Sequence, residues 1–176
     1  MLAKKLFTFL SIVLFLGGIT MAQDFKYIGA AKCKMCHNKP EKGEQYNKWS
    51  GLLHAQAMKS LGNDLSLEYA AKNGIADPTK EASCLKCHST AHAIDAKLNL
   101  GVKPAEGVSC ESCHGPGSAY KSPSIMKKQE LAIGKGLIVP TEETCKTCHN
   151  KDNPFYVEFN YAEALKKIAH PNPLAK

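Results

Sequence analysis

All eight cysteines of this 176-residue chain fall into four copies of one short pattern. The copies are Cys33-Lys34-Met35-Cys36-His37, Cys84-Leu85-Lys86-Cys87-His88, Cys110-Glu111-Ser112-Cys113-His114 and Cys145-Lys146-Thr147-Cys148-His149. No cysteine is left over, and a histidine follows every second one. This is the spacing of c-type haem attachment, in which two thiols form thioethers to the porphyrin vinyl groups and the adjacent imidazole reaches the iron from one side. Tether and ligand must be chain neighbours for that geometry. A structural zinc site would be satisfied by two Cys-x-x-Cys pairs without a histidine after each. A thioredoxin-type redox pair normally occurs once, at a strand-to-helix turn. A disulfide framework, the ordinary use of eight cysteines in an exported chain, has no need of the histidines. The pattern therefore predicts four covalent haems, held by Cys33, Cys36, Cys84, Cys87, Cys110, Cys113, Cys145 and Cys148, with His37, His88, His114 and His149 each on one iron.

Residues 1–22 have the build of a secretory signal peptide: Lys4 and Lys5, an apolar run from Leu6 to Leu16, then Thr20-Met21-Ala22 with a small residue at the cleavage edge. The run is nearer signal length than membrane-spanning length, and an uncleaved anchor is the alternative. Cleavage leaves residues 23–176 as a single tetrahaem domain, which places the protein in the periplasm or otherwise outside the cytoplasm. Four haems in about 154 residues leave about 38 residues for each, too little chain to enclose a conventional core beside them. The haems must themselves be the core. The expected fold is mainly α: short helices and long loops wrapped around the haems, with little β.

Apolar spacing predicts the longest helix over Glu41 to Leu61, with Trp49, Leu52, Leu53, Ala57 and Leu61 at helical intervals and Gly62-Asn63 as its stop. His54 and Met58 share one face of it. Further helical segments are expected over Leu65 to Lys72, from Asp77-Pro78-Thr79 into the second motif, over Ser124 to Ala132, from Pro140-Thr141 into the fourth motif, and over Tyr161 to Ala169, capped by Asn160. Gly101 to Val108 reads as a connector and Gly115-Pro116-Gly117 as a turn.

Three histidines lie outside the motifs: His54, His92 and His170. Four irons each need a partner on the face opposite the motif histidine, so these three become candidate metal ligands. His54, on an apolar helix face, and His170, at a helix end, are the stronger choices. His92 follows His88 by only four residues, cannot reach the far side of the same haem, and would have to serve a different one. At least one iron lacks a second histidine; it takes Met58 or Met126, or stays open to a small ligand.

The 23 basic residues are all lysines, so the bidentate recognition of phosphate and guanine edges that arginine provides is missing, and no nucleic-acid partner is expected. Without the leader the polypeptide carries +5, which eight propionates on four ferric haems bring close to neutrality. Lysine clusters at Lys26, Lys32, Lys34 and Lys39, and at Lys121, Lys127 and Lys128, could steer an acidic redox partner protein. No membrane contact is expected except through such a partner or an uncleaved leader.

Taken in order, Lys32 to His37, Trp49 with His54-Ala55-Gln56-Ala57-Met58-Lys59-Ser60-Leu61, Cys84 to His88, Gly107 to Gly117, Cys145 to His149 and a late helix ending in His170 resemble the tetrahaem cytochrome c five-five-four family of nitrifying bacteria. The resemblance implies a helical fold with haems in close pairs and electron transfer as the core activity. It also implies His54 on the iron held by His114, His170 on the iron held by His37, and a five-coordinate haem at His88. The family pattern places a histidine about ten residues after the third motif; this chain has Ser124 there, with Met126 just beyond. The expected function is that of an exported electron carrier, passing electrons one at a time through closely packed haems. One rival is an enzyme whose open haem reduces nitric oxide or a related nitrogen oxide. Another is the subunit of a polymeric haem filament, with a ligand supplied across the subunit contact.

Overall fold

The computed structural model describes residues 25–173, so the expected leader at residues 1–22 lies outside the described residues. Eleven short α-helices are formed by the described residues: α1 (Ala30–His37), α2 (Gln45–Ser50), α3 (Ala57–Ser60), α4 (Asp64–Lys72), α5 (Ala82–His88), α6 (Thr90–Ala93), α7 (Cys110–His114), α8 (Pro123–Met126), α9 (Gln129–Ile133), α10 (Glu142–Lys146) and α11 (Tyr161–Ile168). Three single 3-10 turns lie between them. The extended backbone meets only in an isolated parallel bridge between Tyr27 and Asn99, among the described residues. The mainly helical expectation is met, and among these residues no helix is long and apolar enough to cross a membrane.

The caps explain where several helices begin. Asn63 accepts from the Ser66 amide at 2.9 Å to open α4, and Asn160 accepts from the Glu163 amide at 3.1 Å to open α11. At α10, Thr141 and Thr144 exchange side-chain and backbone bonds as a capping box. In the first three motifs the histidine is the last helical residue. In the fourth the helix ends at Lys146, and the His149 amide still reaches the Cys145 carbonyl at 3.0 Å.

The long helix expected over Glu41 to Leu61 is not formed. Gly43 and Glu44 both have positive φ, 95° and 50°, and α2 ends at Gly51. Residues 51–56 form i→i−3 turns in place of α-helical pairing, and two bonds to a residue distant in sequence pin their path. Trp49 donates from Nε1 to the Val108 carbonyl at 2.9 Å, and the Val108 amide takes the His54 carbonyl at 2.9 Å. Leu53, expected on an apolar helix face, is 85% exposed as a result. The helix expected over Ser124 to Ala132 is similarly split, because Lys128 adopts extended φ/ψ of −126° and 98° between α8 and α9.

The polypeptide does not fill its own centre. Among the described residues its buried apolar side chains are few, Ile28, Leu61, Leu85, Val102 and Tyr120 with three alanines, and the largest fully buried side chains are Glu111, Ser89 and Ser109. Two cavities, of about 830 Å³ and 540 Å³, open among the motif helices. A soluble domain of this length would normally close such space with Leu, Ile and Phe. Here Leu53, Val157, Met35 and Leu100 are among the large apolar side chains left exposed.

Candidate haem-binding site

Each motif is wound as a helical turn, which puts both thiols and the imidazole on one short element. All eight cysteines are free and half-buried. The histidine rings are oriented by bonds from the nitrogen that faces away from a metal. His88 donates from Nδ1 to the Ala57 carbonyl at 2.7 Å, and the Ser60 hydroxyl lies 3.3 Å from the same nitrogen. His114 donates from Nδ1 to the Ile138 carbonyl at 3.3 Å, His37 to Gln45 Oε1 at 3.3 Å, and His170 to the Ile168 carbonyl at 2.7 Å. A carbonyl can only accept, so these bonds place the proton on Nδ1 and leave the Nε2 lone pair free for iron. His149 is held differently, stacked on Phe159 with centroids 4.9 Å apart and planes at 19°.

The thiols of different motifs lie against one another. Cys33 and Cys110 share a sulfur hydrogen bond that holds Cys33 below the usual thiol value and Cys110 above it. Burial, reinforced by the neighbouring Cys148, pushes Cys87 up to about 11. Burial, with Cys145 and Cys148 close by, does the same to Cys113. Thiols raised this far are protonated and poorly nucleophilic at neutral pH. The neighbour relations run from the first motif to the third, from the third to the fourth, and from the fourth to the second. The larger cavity is lined by His54, Cys87, His88, Cys113, Cys148 and His149, and the smaller by Cys84, Cys87, His88 and Cys148. Unfilled space lined by paired thiols, with imidazoles whose Nε2 is left free, fits a flat iron macrocycle. Among the described residues no three His, Cys, Asp or Glu side chains are grouped to hold a bare metal ion.

The histidines outside the motifs are placed unequally. His54 faces His149 edge-on, with centroids 6.0 Å apart and planes at 89°, and the half-buried ring is lowered in pKa by burial and then by His149. His170 faces His114 at 6.0 Å and 73°. The pKa of His114 falls chiefly through burial, against the opposing Ile138 bond and together with His170 and His37. The resemblance assigned His54 to the iron of His114 and His170 to that of His37; the structure turns the two rings towards His149 and His114 instead. Both remain tied to the sites first assigned. The His54 carbonyl binds Val108 at the entry to the third motif, and Gln45, the partner of His37, also donates to the Pro171 carbonyl at 3.4 Å. His92 is exposed, lies 2.9 Å from the Ser89 hydroxyl through Nδ1, lines neither cavity and faces no motif histidine. Met58 and Met126 are half-buried and also line neither cavity.

Sequence reasoning passed over three residues that build this site. Gln45 gives no signal, since its contact with His37 depends on a turn at Gly43 and Glu44. Gly107 reads as part of a connector and as the start of the block that carries the resemblance, without a structural role of its own. Glu111, inside the third motif, shows one sequence signal, a charge in a position the tether leaves free.

Residues 32–115 match the family described as cytochrome c554 and c-prime. Across 166 residues the chain is 31% identical to cytochrome c-554 of Nitrosomonas europaea, an alignment that takes in 85% of this chain. The chain belongs to the cytochrome c554 family. It spans 66% of the length of that curated relative. The fold agrees as well: the reduced state of cytochrome c554 from Nitrosomonas europaea superposes with a TM-score of 0.60 at 24% identity, covering 85% of this chain and 86% of the other. Covalent haem c, with its iron, is the cofactor of a cytochrome of this family, and four attachment motifs accord with four haems.

Proposed function

We propose that the protein is an exported, periplasmic tetrahaem electron carrier that takes electrons singly from one redox protein and delivers them to another. In this reading residues 1–22 are the leader and 23–176 the carrier. Cys33 and Cys36, Cys84 and Cys87, Cys110 and Cys113, and Cys145 and Cys148 tether the haems. His37, His88, His114 and His149 bind the irons from the motif side, and His54 and His170 supply a second imidazole to two of them. His92 is left as a surface residue.

The observation that carries this reading is that the attachment sites adjoin: Cys87, Cys113, Cys145 and Cys148 of the second, third and fourth motifs line one cavity, and Cys33 of the first lies beside Cys110 of the third. The bound haems supply reversible one-electron iron chemistry. What this chain adds is position and electrostatics. The carbonyls of Ala57 and Ile138 and the amide oxygen of Gln45 fix the ring planes and raise the basicity of the ligand histidines. Exposed Lys32, Lys34 and Lys39 beside the first motif, and Lys121, Lys127 and Lys128 beyond the third, present a positive face to an acidic partner.

One observation favours a second reading. His88 borders both cavities, yet among the described residues no other histidine ring faces it. An iron open there would bind a diatomic ligand and could reduce a nitrogen oxide. Protein matured by a cytochrome c assembly system and exported should give four haems by pyridine haemochrome titration and a matching intact mass. A colourless product, or a count other than four, refutes the carrier. Adding carbon monoxide to the reduced protein separates the readings: a shifted Soret band from one haem supports an open site, and no shift removes the enzyme.

A further inference from the structure

Glu111 is the largest fully buried side chain in the described protein, 2% exposed, and no cation pairs with it among the described residues. Its carboxylate accepts from backbone amides only. Oε1 takes Ile28 at 2.9 Å and Gly117 at 2.7 Å; Oε2 takes Gly29 at 2.8 Å, with Ile28 at 3.0 Å. These donors lie 82 and 83 residues upstream and 6 downstream. Ile28 and Gly29 lead directly into α1 and the first motif, and Gly117 closes the turn after the third. The link is reinforced by two bonds between Lys26 and Ser118, at 2.8 and 3.0 Å, and by Glu106, which accepts from Ala30 at 3.0 Å. At Gly117 a Cβ would stand 2.9 Å from Ile28 Cδ1 and 3.1 Å from Glu111 Oε1, so a side chain there would press on both the Ile28 side chain and the carboxylate.

A buried carboxylate without a counter-cation is costly unless hydrogen bonds satisfy it, and these do. Its charge still acts across a poorly screened interior. Ferric haem carries one more positive charge than ferrous, so a fixed negative charge nearby favours the oxidised form and lowers the potential, one of the levers by which a protein tunes a haem. The same field is felt by Tyr27 and Tyr120, whose hydroxyls are raised first by burial and further by charges that include Glu111.

We propose that Glu111 is a positioning residue that locks the first and third haem-attachment segments together and keeps a permanent negative charge beside their haems, setting those two potentials below the values they would otherwise have. This rests on the carrier reading, in which those haems are held by His37 and His114. The test is redox titration of the exported holoprotein, with individual haems resolved by paramagnetic NMR, in wild type, Glu111→Gln and Glu111→Asp. Haem content is measured first; a wild type lacking four haems counts against the carrier reading and leaves the titration without a subject. In E111Q the ferrous-to-ferric ratio of the His37 and His114 haems should rise at least tenfold at fixed potential, about 59 mV upward for a one-electron couple, with the His88 and His149 haems moving less than half as far. E111D keeps the charge while lengthening the amide bonds, and should lose thermal stability with its potentials in place. Equal shifts in all four haems, no shift, or the same shift in E111D and E111Q overturns the assignment. Should E111Q not load four haems, Glu106→Gln removes the neighbouring carboxylate of the same cluster. A smaller upward shift of the same two haems supports the proposal, and no shift overturns it.

Discussion

Gly107→Ala is a one-methyl change in a connector, and the structure makes it severe. Gly107 sits at φ 62°, ψ −132°, a region open to glycine and strained for alanine. Holding a non-glycine residue there costs about 1–3 kcal/mol. The new Cβ would also stand 2.6 Å from the His54 carbonyl oxygen, 3.0 Å from that of Ala55 and 3.1 Å from the Ala57 nitrogen. All three are backbone atoms, so no side-chain rotation relieves the contact, and forced displacement of this kind costs about 1–3 kcal/mol more. A total of about 3 kcal/mol corresponds to a fall in Tm of roughly 6–12 °C for a domain of this size. The strain has two outlets. The His54 carbonyl holds the amides of Val108 and Ala57 at 2.9 and 3.2 Å, and the Gly107 carbonyl holds the Thr90 amide and hydroxyl at 2.9 and 3.1 Å. The loop carrying His54 is exposed at Leu53 whereas Thr90 is buried, so the His54 loop is the one expected to move, weakening its imidazole as an iron ligand. Thermal unfolding followed at the Soret band gives the Tm, and the visible and EPR spectra report one haem converting from low to high spin. A variant within about 2 °C of wild type with unchanged low-spin signals would refute the argument from the Gly107 backbone.

Three further outcomes follow from single contacts. Trp49→Phe removes the indole bond to the Val108 carbonyl and should cost about 1 kcal/mol in chemical denaturation, with part of the same spin-state change as Gly107→Ala. Asn160→Ala removes the cap of α11 and should also cost about 1 kcal/mol; its local reporter is faster amide exchange over Tyr161–Ile168, the helix that leads to His170. Asp77, ahead of the second motif, is held at about 2 by Lys80 first and then by the Thr79 hydroxyl and amide. A depressed carboxylate stabilises the fold above its unfolded value and loses that contribution as pH falls to its folded value. Wild type should therefore exceed Asp77→Asn in stability above about pH 4, and the two acid-unfolding curves should converge as pH falls towards 2.

The parts of this protein that were legible in the sequence are those fixed by local covalent chemistry or local capping. Four repeats of one tether-and-ligand unit announced themselves, and so did the Asn160 cap, because the interacting atoms lie within a few residues. The division of the chain among the haems also predicted what the fold shows, short helices around space the polypeptide does not fill. What was misread depended on partners far along the chain. Trp49, Leu52 and Leu53 have helical spacing, but the chain there turns with i→i−3 bonds while the Trp49 indole and the His54 carbonyl bind Val108, 59 and 54 residues away. No periodicity can register such a competition. His92 shows another limit: counting histidines against irons makes it a candidate, and only the fold shows that it is exposed and bonded through Nδ1 to Ser89.

The order of the attachment sites in space has the same origin. Along the chain the motifs run first to fourth; through the molecule their thiols run first, third, fourth, second. Local helices alone would leave the first and third motifs unrelated, since Cys36 and Cys110 stand far apart along the chain with the whole second motif between them. They are joined because residues 26–29 lead into α1 without helical pairing, and the amides of Lys26, Ile28, Gly29 and Ala30 find their partners elsewhere in the chain. Glu111, Glu106 and Ser118, from around the third motif, take up that demand. An acidic residue in the free position of one tether thus bonds the segment that leads into the first motif to the third.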